Sequence, residues 1–160
     1  MANDPTAEAL TDHFSRAWDM LLEAVRQFPE TQWRQSDDAR MQPARIVYHI
    51  LMGADRYTWL ASADEYLSKR QFSLDWQNAP VQEFPCQADA IRHLEEAKAK
   101  TLRWIEHFAP GGLASEPPLW PWTGNCALAQ GLYHLRHLHH HLAELAAELH
   151  RRGLPRVEWK

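Results

Sequence analysis

Five of the ten histidines lie between positions 134 and 141, in the phrase Tyr-His-Leu-Arg-His-Leu-His-His-His that starts at Tyr133. Neutral imidazole is a good ligand for divalent metals, so phase decides what such a run can do. At helical pitch, His134, His137 and His141 fall within roughly 60° of one another. His137 and His141 are i and i+4, a spacing that lets two rings converge on one ion. His139 and His140 point away from that arc and read as solvated. One helix supplies two ligands but rarely a finished site. His49 is the candidate third, because it sits among Ile46, Ile50 and Gly53 on an apolar face. A neutral imidazole buried there without a partner is costly, and a cation would satisfy it. Gly53, one turn on, leaves room beside the ligand.

Blander readings stand beside this one. A single His on an apolar face is more often a hydrogen-bonded core residue than a ligand, and His-rich helices also arise as solvated faces. The residues alone leave both open. His134 reads as a packing or hydrogen-bonding residue near the site. Glu144, three residues past His141, is a fourth ligand, an acceptor for an imidazole N–H or an ordinary surface carboxylate. The sequence names no general base; Glu144 and His134 are no more than candidates for one. Cys86 and Cys126 have no C-x-x-C spacing and read as plain small residues of a reducing compartment. Cys126 stands near a helix start, but nothing else marks it as a nucleophile.

The elements that must position these residues are four helical stretches. The first, near 6–28, has the stripe Leu10, Phe14, Ala17, Leu21, Ala24 and Phe28, with Asp4-Pro5 as its start and Pro29 as its stop. The second, near 43–60, opens on Pro43 and carries Ile46, Ile50, Gly53, Tyr57 and Leu60. The third, near 87–108, turns Ile91, Leu94, Thr101, Ile105 and Phe108 inward. The fourth, near 126–152, has Leu128, Leu135, Leu138, Leu142, Leu145 and Leu149, and ends on Arg151, Arg152, Gly153 and Pro155. No segment alternates with period two. The spacing therefore predicts an all-α four-helix bundle, one domain over residues 1–160. Two long loops, 61–86 and 109–125, carry Trp76, Trp120 and Trp122. Aromatics in such loops pack over a bundle end or line a site, and Trp120-Pro121-Trp122 is a candidate pocket wall or simple packing.

Seventeen Lys and Arg against 21 Asp and Glu give a formal charge of -4, which argues against a nucleic-acid binder. No apolar run is long enough for a membrane span. The N-terminal MANDPTAEAL lacks the basic and apolar regions of a signal peptide, so a cytoplasmic location is expected.

The order of these features resembles the DinB / YfiT-like metalloenzyme superfamily, which is unrelated in fold to the polymerase that shares the name. The phrase ARIVYHILMGADRYTWL is similar to the family segment around its first ligand, at His49. The phrase LYHLRHLHHHLAEL resembles its second segment, with ligands at His137 and His141 and His140 as the preceding, non-ligating histidine. The chain departs from many members after the last ligand, with Leu142-Ala143-Glu144 where they have Arg-Gly-Gln. The resemblance implies a three-His site for zinc, nickel or iron with open coordination positions. It also implies a low-molecular-weight thiol such as mycothiol or bacillithiol as cosubstrate, a small-molecule electrophile as substrate, and a homodimer. The expected function is a metal-dependent transferase or hydrolase in which metal activates a thiol or water. The alternative is a non-catalytic metal-binding or partner-binding bundle.

Overall fold

A computed structural model describes residues 4–160; residues 1–3, where the N-terminal segment read above begins, lie outside the described residues. Six α-helices follow in order: α1 (Pro5–Gln27), α2 (Pro43–Tyr57), α3 (Ala63–Lys69), α4 (Gln87–Phe108), α5 (Gly112–Ser115) and α6 (Ala127–Arg151). The four long ones are the four predicted stretches, and no strand occurs among the described residues.

The ends form where local chemistry requires. Asp4 Oδ1 accepts from the backbone N–H of Thr6 and Ala7, which satisfies two orphan donors of α1. Its other oxygen accepts from Gly111, tying the start of α1 to the turn before α5. At the far end of α6, Gly153 takes φ +66°. The N–H of Gly153 then reaches the His150 carbonyl and that of Leu154 reaches Leu149, a paired C-terminal cap.

Around the core, α1 packs on α4 and α6, and α2 packs on the same two helices. Consecutive helices α1 and α2 therefore stand at opposite corners, and α2 is a direct neighbour of α6. Phe14, Trp18, Leu21, Ile50, Leu51, Leu94, Ile105, Leu138 and Leu145 are buried between them. Each stabilises the bundle by about 1.5–3 kcal/mol of apolar transfer relative to exposure, before the chain's ordering entropy is set against it. No helix among the described residues is long and apolar enough to cross a membrane.

Three expectations need correction. Leu60 does not extend the stripe of α2. That helix stops at Tyr57, where Thr58 Oγ1 donates to the Ala54 carbonyl, and Leu60 is 52% exposed. The segments read as loops are not structureless: α3 and α5 lie within them, with short 3-10 turns. Ser62 caps α3 by accepting from the Glu65 N–H. A seven-residue helix is too short to declare itself by periodicity. His139, read as solvated, is half-buried, with Trp159 of the C-terminal tail 6.0 Å away.

Candidate metal centre

The neighbouring of α2 and α6 brings His49, His137 and His141 together. One ring nitrogen from each lies within 4.8 Å of the others. The ring centroids of His141 stand 4.6 Å from both His49 and His137, and those of His49 and His137 are 4.9 Å apart. Nε2 of His49 faces Nε2 of His137 at 3.1 Å. Two nitrogens bound to one tetrahedral ion at about 2.0–2.1 Å stand roughly 3.3 Å apart, so this spacing fits a shared cation. The donor set is three neutral nitrogens, as zinc, nickel and iron accept. The residues present fit a divalent metal.

Each ring is held in place differently. Glu144 accepts from His141, with Oε2 2.7 Å from Nδ1, which fixes that ring's tautomer and leaves Nε2 for an ion. His137 is held by space: a Cβ on Gly53 would stand 2.6 Å from its Cε1, so only glycine lets the ring lie against α2. His49 is covered by Trp76, stacked at 4.0 Å between centroids. The Nδ1 atoms of His49 and His137 have no hydrogen-bond partner among the described residues.

Burial keeps these rings unprotonated. It lowers His49 to about 4, and it lowers His137 to about 2 with further repulsion from neighbouring imidazoles. Burial also lowers His141, against the opposing pull of Glu144. All three are thus neutral at pH 7, the form that ligates.

The remaining sequence candidates fall into place around this centre. His134 is 2% exposed, is packed on Phe14, Trp18 and Tyr57, and has neither nitrogen hydrogen-bonded among the described residues. It packs, as one of its two readings had it, but does not hydrogen-bond. Glu144 takes the role of acceptor to His141. His140 stands on the exposed side of Glu144, at 3.6 Å. Trp120 is structural: its Nε1 donates to the Arg56 carbonyl and its ring packs on Tyr66. Both cysteines are free and half-buried at the starts of α4 and α6. Tyr57, whose ring is 5.8 Å from that of His137, has its pKa pushed up to about 12 by burial and by Tyr133, so it holds its proton.

Sequence reasoning singled out Trp76 only as a loop aromatic, and it missed Arg45 and Tyr48, which seat it. Arg45 is 6% exposed; its guanidinium donates to the carbonyls of Ala39, Trp76 and Ala79. The Tyr48 hydroxyl accepts from the Leu74 N–H at 2.9 Å. A signal was present: an Arg in the first turn of a helix opposes the macrodipole, which suggests a specific partner.

No curated protein matches the chain in sequence. The family model of the DinB superfamily matches residues 13–145, from the third turn of α1 to the residue after Glu144 on α6. That stretch holds the whole of α2 and α4, most of α1 and α6, and the three clustered imidazoles, and by it the chain belongs to the DinB superfamily.

Proposed function

We propose that this protein is a metal-dependent enzyme. In this reading His49, His137 and His141 hold a zinc, nickel or iron ion, and a small thiol or a water is activated there for transfer to a small electrophile. The observation that carries the reading is the convergence of three neutral imidazoles with Glu144 engaged elsewhere. A non-catalytic metal module calls for a fourth protein ligand that closes the site. Glu144, the candidate for it, bonds the far nitrogen of His141 instead.

A divalent cation at such a site supplies Lewis acidity that brings the pKa of a thiol or water in its open position towards neutrality. The chain's residues do the rest. Burial holds the ligand nitrogens proton-free, Glu144 keeps the His141 tautomer, and Trp76 shields the His49 ring from water. No side chain is assigned as nucleophile. Cys126 precedes His137 by roughly 16 Å of helix.

The test compares zinc-loaded protein, chelator-treated protein and His137→Ala for conjugation of a thiol to a chlorodinitrobenzene electrophile. The loaded protein should contain about one equivalent of metal and lose on the order of 100-fold in rate on chelation or substitution, with zinc restoring only the unsubstituted chain. Equal rates in all three would end the reading.

A further inference from the structure

Beside the three imidazoles, the surface of α6 carries a cleft of about 260 Å³ lined by Tyr133, Arg136, His137 and His140. These residues follow one another by steps of three, one and three, so they occupy one face of the helix. His137 belongs both to this cleft and to the imidazole cluster, which makes the cleft a route to it. Elsewhere in the cluster, Trp76 lies on His49 and the backbone of Gly53 abuts His137.

Arg136 is the one permanent charge among the four. Its guanidinium lies over the Tyr133 ring, 4.9 Å from the centroid, and it makes no ion pair or hydrogen bond among the described residues. Glu144, the carboxylate beside His140 and His141, bonds His141 and makes no ion pair with Arg136 among the described residues. The cleft therefore presents five N–H donors in a planar fork, steadied against an aromatic face and facing no anion of the protein.

We infer that Arg136 is the specificity residue of this cleft and that the small molecule it admits carries a carboxylate. The metal-seeking atom of that molecule, a thiol sulfur, reaches the imidazoles while the carboxylate meets the guanidinium. The inference rests on the functional reading above and adds the charge of the ligand to it. A planar carboxylate matches the fork with two parallel hydrogen bonds, whereas an uncharged thiol leaves the fork to water.

The experiment loads the full chain with cobalt(II) and titrates it with 3-mercaptopropionate and with propane-1-thiol at low ionic strength. The readouts are the sulfur-to-cobalt charge-transfer band and calorimetric affinity. The carboxylate thiol should bind roughly five- to tenfold more tightly, Arg136→Gln should abolish that preference, and Arg136→Lys should keep part of it. Arg136 is exposed on the surface of α6, so neither variant should alter the thermal midpoint. Equal affinity for the two thiols, or a preference that survives in Arg136→Gln, would overturn the inference and leave the metal reading standing. If neither thiol produces the band on the unsubstituted protein, the open-site reading itself falls and takes the inference with it.

Discussion

At the scale of single residues, Gly53 makes the sharpest claim. Glycine inside a helix costs about 1 kcal/mol relative to alanine. On helix propensity alone, Gly53→Ala should stabilise α2. The added methyl would, however, stand 2.6 Å from His137 Cε1, and the ring must move to admit it. If His49, His137 and His141 hold the metal as proposed, displacing one of them should cost about 10- to 100-fold in metal affinity, the order seen when a ligand loses its orienting partner. We expect Gly53→Ala to retain full helicity by circular dichroism while losing a competition for zinc against a chromophoric chelator. Unchanged zinc affinity would show that His137 does not need this position to bind.

At the scale of elements, the segment between α2 and α4 is seated by contacts it makes with α2. The guanidinium of Arg45 covers carbonyls at Ala39, Trp76 and Ala79, and the Tyr48 hydroxyl takes the Leu74 N–H. Lysine carries the same charge but a single point of donation, so it does not span three separated acceptors. Arg45→Lys should cost on the order of 2 kcal/mol in urea unfolding. It should also speed amide hydrogen exchange through residues 72–82, while α1 and α6 keep their protection. Uniform loss across the protein would mean that Arg45 serves the whole fold rather than the cover over His49. Periodicity could not reveal this arrangement. Arg45 sits in a first turn that looks solvent-facing by composition, and its acceptors are backbone carbonyls, which no side-chain pattern encodes.

At the scale of the whole molecule, buried imidazoles set a pH limit. Burial alone lowers His134 to about 3, and burial chiefly lowers His49 to about 4, both from 6.5 in the unfolded chain. Below pH 6.5 the unfolded state therefore binds more protons than the folded one. Stability is complete above about pH 6.5 and declines as pH falls towards the folded values. Between pH 6.5 and 5, His134 by itself should remove on the order of 2 kcal/mol. Glu148 acts in a lower window. Arg151 and then Arg152 hold its carboxyl below 4.5, so its stabilisation is present above that value and is lost as pH falls through the folded one. Urea unfolding of chelator-treated protein at pH 7 and pH 5 should show the loss, and His134→Leu should show less of it. Equal pH dependence in the two proteins would contradict a buried, unpaired His134.

The sequence by itself determined the four long helices, because stripe spacing and end chemistry are local, and it determined the phases that put His137 and His141 on one arc. It also marked His49 and Gly53 as a pair one turn apart on the second helix. Only the tertiary structure decided that α2 lies beside α6 with α1 at the opposite corner, since helices with one apolar stripe each can be ordered in several ways around a core. That choice of neighbour sets the 3.1 Å approach of two imidazoles from distant parts of the chain. It also decided which aromatic covers the site. Trp76 and Trp120 look alike in sequence, and the hydrogen bonds of Arg45 and Tyr48 bring one of them onto His49, while the Arg56 carbonyl holds the other against Tyr66.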